Sequence, residues 1–78
     1  MTSKNIQLHS INDVKEFVNT ATLADFEIDL VSGRYTVDAK SIMGIFSLDL
    51  SKPITVVANC DEAKSAEFFA KIAAYVVE

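Results

Sequence analysis

The sequence has no tryptophan, one cysteine, one proline and two glycines, and these shortages exclude several classes of protein. A single cysteine, Cys60, allows no internal disulfide, which indicates a reducing compartment such as the cytoplasm. Without low-complexity runs, the chain is not expected to be a disordered tail. Its apolar runs are too short to cross a bilayer, and its start, MTSKNIQ, is unlike a signal peptide. We therefore expect a cytoplasmic protein without a membrane segment.

Positive charge is also scarce, with seven basic residues against eleven acidic ones and a net charge of −4. Binding to the phosphate backbone of nucleic acids needs clustered lysine and arginine, so no nucleic-acid partner is expected. No His, Cys or carboxylate cluster has metal-ligand spacing, and no glycine-rich loop could hold a nucleotide. The sequence therefore predicts neither a metal site nor a cofactor.

Alternating apolar and polar residues predict four strands. The alternation is found at Ile6 and Leu8, at residues 26–30 and at Tyr35 and Val37, and an apolar run follows at 54–58. The second and third strands are joined by a tight turn at Ser32 and Gly33.

Apolar residues at helical spacing predict three helices. The first begins at Ser10, with Asp13 three residues later as in a capping box, and the last opens at Asn59 with Glu62. The inward faces predicted for the first and last helices are Ile11, Val14, Phe17, Val18 and Ala21, and Ala66, Phe69, Ala70, Ala73 and Val76, respectively.

The predicted order is β-α-β-β-α-β-α within one domain, residues 1–78. Strands with one polar face indicate an antiparallel sheet that helices cover on one side only. We therefore predict an α+β fold, an open-faced sandwich of a four-stranded antiparallel sheet and three helices. The predicted solvated face of the sheet comprises Asn5, Gln7, Glu27, Asp29, Thr36, Asp38 and Thr55.

The middle segment DAKSIMGIFSLDL, residues 38–50, carries more apolar side chains than one short helix can bury. At about 100° per residue, Ser41, Gly44, Ile45 and Leu48 share one arc of the helix, which predicts Ile45 and Leu48 as its anchors. The other side carries Ile42, Met43 and Phe46. These three side chains either form an exposed patch that docks partners or are covered by the last helix or a loop.

Ser41 is predicted to cap this helix. The same position suits a phosphoserine, because a phosphate there would meet the positive end of the helix dipole and free backbone donors. It would also add roughly two negative charges beside the apolar patch. The capping role and a switching role are compatible.

The segment VDAKSIMGIFSL, residues 37–48, resembles the regulatory-serine segment of HPr, the small phosphocarrier family of the bacterial sugar phosphotransferase system. The pair FV at Phe17, the stretch FEIDL at 26–30 and the stretch DEAKSAEF at 61–68 extend the resemblance over nearly the whole chain. It implies the fold predicted above. It also implies that Ser41 matches a serine phosphorylated by a dedicated kinase, and that Ile42, Met43 and Phe46 match the partner-docking patch of the family.

The sequence departs from the family at its phosphocarrier histidine motif, a stretch similar to HARPA. The corresponding stretch here is LHSINDVKEFV, and an ungapped count from Phe17 places Ser10 at the histidine position and Asn12 at the arginine position. Asp13 replaces the usual proline and would repel a phosphate, and the stretch has no arginine to hold one. One deleted residue would instead bring His9 into register as the carrier.

The sequence is similar in character to catabolite-repression HPr proteins, which lack the histidine and keep the serine, and its KIAAYV stretch at 71–76 supports this. We therefore expect a regulatory or interaction module that is switched at Ser41 and has no independent catalytic activity. The expected partners are enzyme I of the system, an HPr kinase or a transcription regulator. The alternative is a working phosphocarrier that accepts phosphate from phosphoenolpyruvate on His9, and a diverged protein with neither role is a weaker option.

Overall fold

The structure, a computed structural model, describes residues 2–77. Its elements, in chain order, are β1 Thr2–Ile6, α1 Ile11–Thr22, β2 Glu27–Ser32, β3 Tyr35–Asp38, α2 Ile42–Phe46, β4 Ile54–Asn59, α3 Glu62–Lys71 and β5 Val76–Val77, with a 3₁₀ turn at Ala73–Tyr75 before the last strand. No helix within residues 2–77 combines the length and apolar character that crossing a bilayer requires.

The strands form one antiparallel sheet in the order β3-β2-β4-β1-β5. The predicted antiparallel α+β architecture is confirmed, but within residues 2–77 the sheet has five strands instead of four. Val76, which was predicted on the last helix, lies in β5 and pairs with Ile6. The 3₁₀ turn redirects the chain after α3, and the β-branched pair Val76–Val77 is suited to a strand.

The β2–β3 hairpin turns at Gly33 and Arg34, one residue later than predicted, because Ser32 pairs with Tyr35. Gly33 has φ +60°, a conformation that glycine adopts without strain. A positive φ at the first central residue alone is typical of a type II′ turn, whose twist fits the two strands.

The core lies between the sheet and the three helices. Val14, Phe17 and Ala21 of α1 are fully buried, as predicted. The prediction for Ile11 was wrong, since 64% of this residue is exposed. Ile11 is the first residue of α1 and lines an open depression at the surface together with Phe46 and Leu50.

The predicted inward face of α3 was largely wrong. The chain buries Ser65, Phe68, Phe69 and Ile72, whereas Ala66, Ala70 and Ala73 are exposed. The Phe68 ring packs edge-on against the rings of Phe17 and Phe26, with centroids 6.2 and 6.1 Å away. Burying a phenyl ring removes far more apolar area from water than burying a methyl group, so the alanines turn outward.

The start of α3 also differs from the prediction. Asp61, not Asn59, caps the helix, and its carboxylate accepts the Lys64 N–H at 2.8 Å. Asn59 is the last residue of β4, where its amide donates to the Asp29 carboxylate at 3.2 Å.

The outer face of the sheet carries polar side chains, as predicted, but the register also places Val31 and Val57 on it. Hydrogen bonds join neighbouring strands there: the Thr55 hydroxyl donates to the Asn5 side-chain oxygen at 2.9 Å, next to the Asn59–Asp29 bond. The helices of residues 2–77 pack on the other face.

Candidate functional site

The start of α1 is closed by its own side chains. Ser10 is the N-cap, as predicted, and its hydroxyl accepts the Asp13 N–H at 3.1 Å. The Asp13 carboxylate reaches back and accepts the His9 N–H at 3.0 Å. This arrangement is a capping box in which aspartate replaces glutamate and bonds the residue before the cap.

Two carboxylates, Asp13 and Glu16, lie near the start of α1. Glu16, one turn after Asp13, accepts a hydrogen bond from the Tyr75 hydroxyl at 2.9 Å. Partial burial raises the pKa of Tyr75 to about 12, and the hydrogen bond to Glu16 and the charges of Glu16 and Asp13 act in the same direction. The only arginine of the chain, Arg34, lies in the β2–β3 turn. A phosphate near His9 would therefore meet carboxylates instead of a guanidinium group.

The start of α2 is held in place by the chain that precedes it. The Ala39 N–H donates to the Ile28 carbonyl of β2 at 2.9 Å, and the Ser41 N–H donates to the Asp38 carbonyl at 3.0 Å. The Lys40 N–H donates to the Asp38 carboxylate at 2.8 Å. These bonds fix the backbone on which the Ser41 side chain stands.

Ser41 is an exposed N-cap, and its capping role is confirmed. Its hydroxyl accepts the Gly44 N–H at 3.2 Å. No acidic residue lies in the first turn of α2, in contrast to α1. The first turn of α2 therefore contributes no carboxylate, and the Asp38 carboxylate, which precedes the helix, is bonded to the Lys40 N–H.

Gly44 lets α2 approach the sheet closely. A Cβ atom at this position would lie 3.3 Å from Val37 Cβ of β3 and 3.3 Å from Ser41 Oγ, which is tighter than ordinary contact. Ile45 is fully buried and Leu48 nearly so, which confirms both as anchors of the segment.

The outward face of α2 is apolar. Met43 is 77% exposed and Phe46 41% exposed, so neither the last helix nor a loop covers them. Ile42 is half-buried and packs against the core, so it is less available than the sequence suggested. Exposed apolar side chains that lie together are typical of a surface that contacts other proteins.

Tertiary contacts bring His9 and Ser10 next to this face. Both line a shallow depression together with Ile11, Phe46 and Leu50. Ile11 was predicted to face the core, so the exposure of its side chain beside Phe46 was missed from the sequence. Its position directly after the cap Ser10 could have indicated this exposure. Below, the exposed side chains of Ile11, Met43 and Phe46 are called the apolar surface.

The loop after α2 forms the rim of the depression. The Gln7 side-chain amide donates to the Leu50 carbonyl at 3.3 Å. The Asp49 carboxylate accepts from both the hydroxyl and the backbone N–H of Ser51, which lowers the pKa of Asp49. Within the part of the chain that is described, no three His, Cys, Asp or Glu side chains are grouped closely enough to hold a metal ion.

Comparison with known proteins gives one family. The sequence matches the family described as the PTS HPr component phosphorylation site over residues 8–78. The structure is similar to the crystal structure of HPr-C-His from Thermoanaerobacter tengcongensis. The TM-score is 0.74, and the sequence identity is 27% over 92% of this chain and 90% of that chain. The phosphocarrier protein HPr from Bacillus anthracis gives a TM-score of 0.73 and 29% identity over 97% of this chain and 96% of that one.

A histidine-containing phosphocarrier protein from Mycoplasma shares the fold, with a TM-score of 0.65 and 19% identity over 95% of this chain and 96% of that chain. No curated protein sequence matches this chain.

Proposed function

The chain belongs to the HPr family of the phosphotransferase system, and within that family we propose that it is a regulatory interaction module switched by phosphorylation of Ser41. Proteins of this family interact with other proteins of the phosphotransferase system. The proposal concerns which of the two phosphate positions of the family this chain uses.

The contrast between the two helix starts carries the proposal. At α1, the Ser10 hydroxyl and the Asp13 carboxylate take up local N–H groups, and Asp13 places negative charge at the helix start. At α2, the exposed Ser41 hydroxyl has no carboxylate in the turn that follows it. A phosphate is therefore disfavoured beside His9 and tolerated at Ser41.

Phosphorylation of Ser41 would act on binding through local charge. The phosphate would add roughly two negative charges next to the exposed Met43 and Phe46 side chains. A partner that offers arginine or lysine beside an apolar contact would then bind more tightly, and a partner with an acidic rim would bind less tightly. An HPr kinase and a transcription regulator of the cytoplasm are the partners proposed for this state, and enzyme I is the partner proposed for the alternative below.

A second function, phosphate transfer on His9, is favoured by one observation. His9 is exposed and lines the same depression as Phe46, so an imidazole does stand beside the apolar surface. Carrier activity would still require Asp13 to release the His9 N–H or a partner to supply the missing cation.

One pair of reactions tests both functions. The protein is incubated with phosphoenolpyruvate and enzyme I, and separately with ATP and an HPr kinase, and the intact masses are measured. We expect the mass of one phosphate only in the kinase reaction, and we expect Ser41→Ala to lose it. Ser10→Ala is the matched control, because it removes the other capping hydroxyl.

The alternative has an equally clear signature. An acid-labile phosphate that forms from phosphoenolpyruvate and is lost in His9→Ala would establish the carrier function and refute the proposal for Ser41 as the sole phosphate position. An absence of phosphate in both reactions would also contradict the proposal.

A further inference from the structure

The outer edge of β3 is open. β3 is the first strand in the sheet order, and its partner β2 lies on one side only. Within residues 2–77 no strand pairs with its other side. An open edge of this kind is a template for pairing with a further strand unless charge or shape prevents it.

The register shows which backbone groups of β3 face outward. Ser32 and Tyr35 close the two-residue hairpin, and the Ala39 N–H donates to the Ile28 carbonyl. In an antiparallel ladder these groups alternate, so Tyr35, Val37 and Ala39 bond toward β2. The N–H and C=O groups of Thr36 and the N–H of Asp38 therefore point away from the sheet.

Charge is unbalanced on the same strand. Asp38 lies directly opposite Asp29 on the outer face of the sheet, and like charges in opposed positions are destabilising. Within residues 2–77 neither carboxylate has a lysine or arginine side chain as a salt-bridge partner. Arg34, at the end of the same hairpin, is exposed and forms no salt bridge within those residues.

From this edge we propose that β3 pairs antiparallel with β3 of a second copy of the chain, about a two-fold axis at Thr36. An isologous interface must be self-complementary, and β3 together with Arg34 of the preceding turn meets this requirement residue by residue. Thr36 would face Thr36 of the second copy. Arg34 of each copy would face Asp38 of the other, which gives two symmetric Arg34–Asp38 pairs. The second Arg34 would then supply the cation that the Asp29–Asp38 pair lacks.

The opposite face of the strand is complementary as well. In the same register Tyr35 faces Val37 of the second copy, and aromatic and β-branched side chains are a favourable cross-strand pair. Tyr35 is 71% exposed in the single chain, so this pairing would cover a large aromatic side chain. The outward groups would form four main-chain hydrogen bonds, two between the Thr36 residues and two from Asp38 N–H to the Arg34 carbonyl.

Sedimentation over a rising protein concentration tests the pairing. We expect the mass of the wild type to increase from that of one chain toward that of two. Arg34→Asp should remain a single chain at every concentration, because the introduced carboxylate would face Asp38 of the second copy. Lys52→Asp is the matched control with the same change of charge in an exposed loop, and it should associate like the wild type.

A mixing experiment tests the register itself. Arg34→Asp alone brings two carboxylates together, and Asp38→Arg alone brings two guanidinium groups together, but an equimolar mixture restores opposite-charge pairs. We expect each variant to stay a single chain and the mixture to associate. Because Asp38 accepts the Lys40 N–H, circular dichroism must show that Asp38→Arg is folded.

Thr36→Lys is a further variant that leaves the fold intact, since Thr36 is exposed and its main chain faces away from β2. It places two lysines against each other at the axis and should abolish association. A wild type that remains a single chain at the highest concentration overturns the proposal, as does association that Arg34→Asp and Thr36→Lys leave unchanged.

Discussion

Two helices of this protein, α1 and α2, begin with the same hydrogen bond. Ser10 accepts the N–H of Asp13, and Ser41 accepts the N–H of Gly44, at 3.1 and 3.2 Å. The residue that donates this bond then determines the character of each helix start. Asp13 brings a carboxylate to the positive end of α1, whereas Gly44 brings no side chain and lets α2 lie against Val37.

The comparison shows that a capping serine alone does not define a phosphate position. At the start of α1, the Ser10 hydroxyl and the Asp13 carboxylate accept N–H groups of the chain itself. The negative charge of Asp13 would also repel a second anion there. The start of α2 is capped equally well, but its first turn adds no carboxylate, since Asp38 lies before the helix and bonds the Lys40 N–H. It also stands beside an exposed apolar face. The following predictions test this difference.

The largest expected effect separates the two faces of α2. Ile45→Ala should lower the free energy of unfolding by about 2–5 kcal/mol, because it leaves a cavity at a fully buried position. Met43→Ala should change it by no more than about 0.5 kcal/mol, since this side chain is exposed. Urea denaturation of the two variants provides the measurement, and equal losses would mean that Met43 is part of the core.

The two caps should contribute similar stability. Ser10→Ala and Ser41→Ala should each lower the free energy of unfolding by about 1 kcal/mol, the usual loss of an N-cap. Substitution by aspartate should distinguish the two positions. Ser41→Asp should leave the free energy of unfolding nearly unchanged, whereas Ser10→Asp places a second carboxylate beside Asp13 and should be less stable than the wild type. Thermal denaturation of all four variants checks this, and equal behaviour of the two aspartate variants would contradict the comparison.

Removing the charge of Asp13 should have a smaller effect. Asp13→Asn keeps an oxygen that can accept the His9 N–H but loses the interaction of the carboxylate with the helix dipole, which costs about 0.3–1 kcal/mol. The loss should shrink at high salt, because exposed charges are screened. Denaturation at low and high ionic strength gives the comparison, and a loss independent of salt would mean that the charge is not its cause.

The last expected effect appears only at high pH and concerns Tyr75, which donates to Glu16 of α1. The pKa of Tyr75 is raised from 10.0 to about 12, so the folded state keeps a proton that the unfolded state releases in that interval. The stability that this bond contributes is therefore fully present below pH 10 and is lost as the pH rises towards 12. Tyr75→Phe should show a weaker decrease than the wild type between these values, and parallel curves would refute the role of the hydroxyl.

Local pattern predicted the parts of the fold that depend on neighbours in sequence. The caps Ser10 and Ser41 were predicted from the serine and the spacing of the apolar residues that follow it. The burial of Ile45 followed from helical geometry, because α2 has one sheet to lie against. The same geometry left open whether Met43 is exposed or covered, and the structure shows it exposed.

The rest depends on distant contacts. Phe69 belongs to two possible apolar stripes of α3, one through the alanines and one through Phe68. The rings of Phe17 in α1 and of Phe26, just before β2, select the stripe through Phe68. A two-residue strand such as β5 is too short to give a pattern, since it exists only because β1 lies beside it. The depression beside His9 likewise joins segments that are far apart in sequence, so spacing alone could not show it.

β1 lies between β4 and β5, so the first strand of the chain is the last to complete its pairing. During synthesis the β2–β3 hairpin can form from neighbouring residues, whereas Ile6 must wait for Ile54 and then for Val76. Closing so long a loop is entropically costly, and contacts of this kind slow folding. We therefore expect docking of β1 to be the late step of folding, with Ile6 and Leu8 open to chaperones until it occurs.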